Sequence, residues 1–149
     1  MDGGSRGNPG PAAWAVAVLA DDGTFVEGHA GALGRATNNV AEYRALIEAL
    51  RLAEARGVLD LEVRADSELI VRQIEGRYRV RHRDLIPLHA EAMRRIRALE
   101  RFRIRHVPRE SNRDADRLVN RVLDRAEVTP PGESVHLLEL PESEPARGI

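Results

Sequence analysis

Four acidic residues of this chain lie in local contexts that ordinary surface charges rarely share. Asp2, Glu42, Asp66 and Asp116 each sit among turn residues, at a helix start or at a strand end. A lone carboxylate is usually a solvated surface charge, but four that converge repel one another unless a counter-charge is present. Divalent metal ions are the usual agent of that neutralisation. We therefore predict a metal-binding cluster of carboxylates drawn from distant parts of the chain.

The composition restricts the class of protein. The chain has 149 residues, 42% of them hydrophobic and only 3% aromatic, which is enough for one compact domain with an aliphatic core. It has no cysteine, so disulfides, thiolate metal sites and cysteine nucleophiles are excluded. No apolar run reaches the roughly 20 residues that a membrane span needs, and no basic-then-apolar signal segment opens the chain. We expect a cytoplasmic monomer that does not associate with membranes.

Charge is unevenly distributed along the chain. Between Arg72 and Arg109 there are twelve arginines and four acidic residues, whereas the segment from Glu127 onward has five glutamates and one arginine. A basic middle in a chain of net charge −1 indicates a local anionic partner. The densest part is the connector that contains Arg77, Arg79, Arg81 and Arg83. These arginines are candidate phosphate contacts, although a charge run is more often a solvated face.

The first third of the chain predicts a turn followed by a strand hairpin. Residues 3–10 are rich in glycine and include proline, so we expect a turn there. Residues 12–20 form an apolar strand, Asp21-Asp22-Gly23 is a hairpin signal, and residues 24–32 form a more polar return strand. Gly31 and Gly34 are expected to loosen the connection that follows.

The rest of the domain alternates helices and strands. Thr37 or Asn38 caps a helix that ends near Gly57, and Ser67 begins a second helix that ends at Gly76. The remaining predicted elements are a strand at 59–65, a helix at 87–99, a strand at 102–106, a loop at 108–112 and a helix at 114–126. This order predicts an α/β domain over residues 1–126, with helices on the faces of a mixed sheet. Residues 127–149 are expected to form a flexible acidic tail.

The order of elements and four motifs resemble type 1 ribonuclease H over about residues 2–126. The motifs are Asp2-Gly3 with Gly7-Asn8-Pro9-Gly10, Thr37-Asn38-Asn39 with Glu42, Asp66-Ser67, and Asn112 with Ala115-Asp116. Residues 66–74 are similar to the bacterial and archaeal branch that lacks the long basic handle helix. The resemblance implies a mixed five-stranded sheet flanked by helices, with its first strand truncated here.

The resemblance also implies an activity and a metal. Its members cut the RNA strand of RNA–DNA hybrids with Mg²⁺ or Mn²⁺, two ions per active site, and leave 5′-phosphate and 3′-hydroxyl ends. Asp2, Glu42, Asp66 and Asp116 would be the catalytic and metal-binding carboxylates, with Asp2 between the two ions at the turn after its strand and Glu42 in the first turn of its helix. Asp114 is a rival to Asp116. The two are two residues apart, so on a helix their side chains point about 200° apart and both cannot enter one site. The preference between hybrid and double-stranded RNA stays open.

Further residues take substrate-contacting or catalytic roles by the same resemblance. Asn8, Asn38 and Asn39 match hybrid-contacting positions, with a turn and a helix cap as their structural alternatives. Ser67 contacts phosphate or caps its helix. His106 corresponds to a histidine that assists proton transfer or product release, or is simply an exposed side chain.

The chain departs from this family at its start. The family carries several apolar residues before its first aspartate, in the central strand of the sheet, whereas only Met1 precedes Asp2. Loss of that strand would leave two neighbours unpaired. We expect the working protein to begin upstream; the alternative is that Val135 to Leu140 fills the gap. Two other functions stay open: a catalytically impaired module that binds hybrid or duplex, and a relative of DNA strand-transfer enzymes.

Overall fold

The computed structural model describes residues 1–126 and 136–139. Its strands are β1 (Asp2–Ser5), β2 (Gly10–Leu19), β3 (Phe25–Ala36), β4 (Asp60–Ala65), β5 (Arg101–His106) and β6 (His136–Glu139). Its helices are α1 (Asn38–Ala55), α2 (Glu68–Ile74), α3 (Ile86–Arg97) and α4 (Arg113–Ala126), with a 3-10 turn at Arg109–Ser111. This arrangement is the predicted α/β class. Among the described residues, no helix is both long and apolar enough to cross a membrane.

The strands form two hydrogen-bonded sheets, where one five-stranded sheet was expected. The first has the order β1-β2-β3-β6 and is antiparallel throughout, and the second is the parallel pair β4-β5. The division falls between β1 and β4, which do not pair as strands in the described chain. A hydrogen bond of 2.8 Å from the Met1 nitrogen to the carbonyl oxygen of Arg64 joins the two sheets at this point.

The last strand lies far from that division. β6 pairs antiparallel with the outer edge of β3, from Gly28 opposite Glu139 to Gly31 opposite His136. The alternative that Val135 to Leu140 fills the gap beside β1 is therefore wrong, because the described part of this segment, His136–Glu139, pairs with β3. The rest of the acidic tail lies outside the described residues.

Two segments that the sequence predicted as irregular belong to strands. Gly3 to Ser5, expected in a turn, pair with Trp14 to Ala12 of β2. β3 continues past Gly31 to Ala36. A Cβ atom at Gly31 would lie 2.6 Å from Nε1 of Trp14, so the missing side chain makes room for the indole ring and does not interrupt the strand.

Apolar side chains cover both faces of the first sheet. On one face, Trp14 and Val16 pack in a cluster with Tyr43 and Leu46 of α1, and α3 packs against α1. On the other face, alanines of β2 and β3 pack against α4, and their small size allows the helix to lie close to the sheet. The sheet is thus held between α1 and α4, and both helices carry acidic residues to the same end of β1.

Candidate functional site

A cleft of about 750 Å³ opens beside β1, where α1, α4 and the segment between β4 and α2 meet. All four carboxylates singled out from the sequence line it: Asp2, Glu42, Asp66 and Asp116. Each comes from a different element or junction, so the fold brings together groups that are up to 114 positions apart in the chain.

Three of these carboxylates form a tight group. Asp2, Glu42 and Asp66 each offer an oxygen, and these oxygens all lie within 4.8 Å of one another. Asp116 lines the same cleft but stands outside this group. The cluster therefore consists of three closely spaced acids and a fourth on another wall.

Close backbone packing sets the position of Asp2 relative to Glu42. A Cβ atom at Gly3 would lie 2.2 Å from the carbonyl carbon of Ala41, so only glycine lets β1 approach α1 this closely. The Gly3 amide donates a 2.5 Å hydrogen bond to Oε1 of Glu42. Glu42 is the fifth residue of α1, in its second turn and not its first as predicted, and Asp2 opens its strand where we expected it to follow one.

Burial of Asp2 and Glu42 disfavours the ionised form of both carboxyl groups. It raises the pKa of Asp2 from 3.8 to about 6, and the charges of Asp66 and Asp116 act in the same direction. Burial also raises the pKa of Glu42 well above its usual value, with the neighbouring Asp2 adding to the effect. Without a cation, the pair holds a proton more readily than ordinary carboxyl groups do.

Asp116 has partners that the sequence analysis missed. Asn120, one helical turn later, donates from Nδ2 to the Asp116 carbonyl oxygen at 3.1 Å and lies 3.5 Å from Oδ2. The guanidinium of Arg109 lies 3.9 Å from Oδ1 of Asp116. Both residues line the cleft. The i, i+4 spacing of Asp116 and Asn120 was a signal that could have identified Asn120.

Asp114, the rival to Asp116, points elsewhere. Its Oδ1 forms an ion pair of 2.7 Å with Arg117, and it does not line the cleft. Both acids lie on α4, and their two-residue spacing places them on different sides of this helix.

The predicted substrate-contacting residues fall into two sets. Asn38 and Ser67 line the cleft, whereas Asn8 and Asn39 do not. Asn8 still adjoins it, because its Oδ1 accepts a 3.0 Å hydrogen bond from the amide of Asn38. Ser67 also caps α2 by accepting from the Ile70 amide at 3.3 Å, so its structural role is present whatever else it does.

The structure leaves the remaining predicted residues outside the cleft. His106 is exposed at the end of β5 and does not line the cleft, so its predicted catalytic position has no support in the geometry. Arg109 is the basic side chain of this region that does reach it. Arg77, Arg79 and Arg81 are exposed in the connector between α2 and α3, away from the cleft lining. Their contact with phosphate stays a prediction.

Comparison with known proteins assigns the family. The model of a family described as reverse transcriptase-like matches residues 1–122. The solved amino-terminal RNase H domain of Rv2228c from Mycobacterium tuberculosis is 44% identical, with a TM-score of 0.81 over 86% of this chain and 93% of that chain. The chain belongs to the type 1 ribonuclease H family. Its connector between α2 and α3 contains no helix, as expected for the branch without the long handle.

Two other ribonucleases H extend the likeness. RNase H1 of Halobacterium salinarum is 43% identical, with a TM-score of 0.79 over 83% of this chain and 94% of that one. LC11-RNase H1, solved in complex with an RNA/DNA hybrid, is 41% identical, with a TM-score of 0.76 over 85% of this chain and 95% of that one. The chain spans 63% of the curated Halobacterium ribonuclease HI and 35% of the bifunctional protein Rv2228c.

Proposed function

We propose that this chain hydrolyses the RNA strand of RNA–DNA hybrids and leaves 5′-phosphate and 3′-hydroxyl ends. Two divalent cations, Mg²⁺ or Mn²⁺, would be held by Asp2, Glu42, Asp66 and Asp116. The observation that carries the proposal is the convergence of the Asp2, Glu42 and Asp66 oxygens within 4.8 Å. The hybrid held by a ribonuclease H with 41% identity supports the choice of substrate.

The donor set fits hard divalent cations. Every side chain in the cluster offers carboxylate oxygen, the ligand type that Mg²⁺ and Mn²⁺ prefer. The raised pKa values of Asp2 and Glu42 show that the acidic cleft lacks enough positive charge of its own. Bound divalent ions would supply that charge, lower the pKa of an attacking water and stabilise the leaving oxygen.

The chain's own residues orient the ligands. The Gly3 amide donates to Oε1 of Glu42 and so holds this side chain beside Asp2 and Asp66. Nδ2 of Asn120 lies 3.5 Å from Oδ2 of Asp116, and the guanidinium of Arg109 lies 3.9 Å from its Oδ1, so each carboxylate oxygen has a polar neighbour. Groups fixed by such second contacts need less reorganisation when the substrate arrives.

Groups that suit nucleic acid surround the acids. The guanidinium of Arg109 is an exposed cation at the cleft and matches the geometry of a phosphate. Asn38, held next to Asn8, carries an amide that can donate and accept hydrogen bonds, as reading a minor groove with its 2′-hydroxyl groups requires. We assign both residues to substrate binding.

An Asp66→Asn variant tests the catalytic role. It should cleave a labelled RNA–DNA hybrid in Mg²⁺ at least about 1000-fold more slowly, because it removes a ligand charge from the cluster. Asp114→Asn is the matched control, since it removes the same charge from outside the cleft, and it should retain activity within about 3-fold. Equal product from wild type and the Asp66 variant would refute the enzymatic role.

A substrate panel separates the alternatives. Cleavage of the hybrid but not of duplex DNA supports the proposal, whereas cleavage of duplex DNA favours a strand-transfer relative. Binding of the hybrid without any metal-dependent product would instead indicate a binding module. Duplex RNA in the same panel decides the open question of the second substrate.

A further inference from the structure

The acidic cleft contains a second basic side chain, to which the family motifs assign no role. Arg6 follows directly after β1 and lines the cleft together with Ser5. Its side chain is 35% exposed, so it is partly enclosed by protein and still open to solvent. A cation in this place is positioned to meet an anionic ligand that enters the cleft.

Two contacts fix the position of Arg6. Its backbone N–H donates a 2.8 Å hydrogen bond to the carbonyl oxygen of Pro11 in β2. Its side-chain Nη2 donates to Oδ1 of Asp124 in α4 at 2.6 Å. The side chain of Asp124 is 69% exposed, so water weakens this ion pair. A guanidinium has five N–H donors in a planar fork, which allows it to bind a carboxylate and a phosphate together.

Arg6 lies well apart from Arg109, the other arginine that lines the cleft. Arg109 lies 3.9 Å from Asp116 and Arg6 lies 2.6 Å from Asp124, and both acids belong to α4. Eight helical positions separate the two acids, which corresponds to about 12 Å along the helix. β1 gives a similar length, because the four steps from Asp2 to Arg6 span about 13 Å when extended. The cleft therefore has a cation near each end of α4.

We propose that Arg6 binds a backbone phosphate of the substrate, so that one nucleic-acid strand is held by a guanidinium at each end of the cleft. The inference rests on the proposed function, since it names a further contact of the same substrate. A separation of about 12 Å covers a few nucleotides of one strand, so Arg6 and Arg109 contact different phosphates. Such contacts position the backbone and do not read the base sequence.

Replacement of Arg6 with glutamine tests this contact. All forms carry Asp66→Asn, so that a labelled RNA–DNA hybrid is bound and not consumed. Arg6→Gln should raise the Kd for the hybrid by about 3- to 10-fold at low salt, and should reduce the slope of log K against log salt by about 0.9, the value for one phosphate. Arg117→Gln is the matched control, because Arg117 pairs with Asp114 at 2.7 Å outside the cleft. It should leave the slope unchanged within about 0.3.

Two further variants separate a phosphate contact from a purely structural ion pair. Arg6→Lys keeps the charge and should keep the salt slope within about 0.3 of that of the parent. Asp124→Asn still offers an oxygen to the guanidinium but removes a negative charge, so it should bind the hybrid at least as tightly as the parent. Because the pair is exposed, Tm should change by less than about 3 °C in every variant.

Equal Kd values and equal salt slopes for Arg6→Gln and Arg117→Gln would overturn the proposal. A loss of binding in Asp124→Asn as large as in Arg6→Gln would also overturn it, because the ion pair itself would then be the cause. Binding is measured separately from cleavage. If Arg6 contributes to binding but the protein with Asp66 intact does not cut the hybrid, only the proposed function fails.

Discussion

The acidic cleft differs in its lining from a second opening, a groove between the carboxyl half of β2 and β4 that Met1 lines. The cleft of about 750 Å³ is lined mainly by charged and polar side chains from β1, α1 and α4, whereas the groove of about 420 Å³ is lined by aliphatic side chains together with charged ones such as Glu62 and Arg64. In the cleft, burial raises the pKa of Asp2 and Glu42, so the missing component is positive charge. In the groove, Nε of Arg64 lies 3.6 Å from Oε2 of Glu62, so this acid already has a cationic partner.

The short strand β1 contributes a residue to the acidic cluster and is anchored at its amino end beside the groove. β1 has four residues, and its first, Asp2, belongs to the acidic cluster. The preceding residue, Met1, is held by Arg64 of β4 and by Asn112 next to α4. The position of the cluster therefore depends on how firmly the amino end of β1 is anchored at the groove.

The largest effect on the cleft side is expected for Gly3→Ala. The new methyl group would meet the Ala41 backbone at 2.2 Å, and backbone cannot move aside as a flexible side chain can. We expect a loss of at least about 3 kcal/mol in the free energy of unfolding, measured by urea denaturation.

Gly4→Ala is the matched control for that substitution. Its Cβ would meet Cγ1 of Val119 at 3.3 Å, a side-chain contact that can relax, so the cost should stay below about 1 kcal/mol. Equal costs at the two glycines would show that close approach of β1 to α1 does not set the geometry of the cleft.

The metal-free protein should lose stability as pH rises from about 4 to about 6. The folded state binds the Asp2 proton more tightly than the unfolded chain, whose pKa is 3.8, so deprotonation in this window costs folding free energy. At about 1.4 kcal/mol per unit of pKa, the loss is on the order of 2–3 kcal/mol. Urea unfolding with a chelator, across this pH range, measures it.

Asp2→Asn separates this effect from other titrations. Arg56 holds the pKa of Glu27 below its usual value, which gives the opposite slope, but Glu27 is present in both proteins. The difference between wild type and variant should therefore report Asp2 together with its effect on Glu42, whose pKa the neighbouring Asp2 helps to raise. Saturating Mg²⁺ should flatten the wild-type profile, since a bound cation favours the ionised acids. An unchanged slope in the variant would contradict the account of the cleft.

Asn112→Ala probes the anchor shared by both regions. The substitution leaves the buried carbonyl oxygen of Met1 without the donor that lies 2.9 Å away, and should cost about 1–2 kcal/mol of unfolding free energy. Ser111→Ala is the control. Ser111 is exposed, and its backbone N–H donates a hydrogen bond to the Pro108 carbonyl oxygen, which the substitution leaves in place. If the two variants unfold at the same urea concentration, Asn112 is not an anchor of β1.

The smallest effect is expected for the basic connector. Replacing Arg79 and Arg81 with alanine should weaken hybrid binding by about 3- to 10-fold at low salt and reduce the salt dependence by about two charges. Arg94 and Arg97, also exposed, provide a control pair with the same loss of charge. Equal weakening by both pairs would show general electrostatic attraction without a local contact at the connector.

Much of the fold was predictable from local pattern. Hydrophobic periodicity gave the helix of Tyr43, Leu46 and Leu50, and α1 and α2 end next to Gly57 and Gly76 as expected. Two of the errors fell where a glycine packs against a distant neighbour. Gly3 and Gly31 looked like turn residues, but one admits α1 and the other admits Trp14, and local sequence carries no trace of such approaches.

The sequence by itself determined the α/β class, the family motifs and the four acidic residues, because each depends on residue type and short spacing. Only the tertiary structure decided which acids meet, and why. Asp2, Glu42 and Asp66 converge because a glycine lets β1 touch α1, while Arg109 and Asn120 join Asp116 and His106 stays outside. Distances between elements come from packing across the whole domain, and no single segment of the chain encodes them.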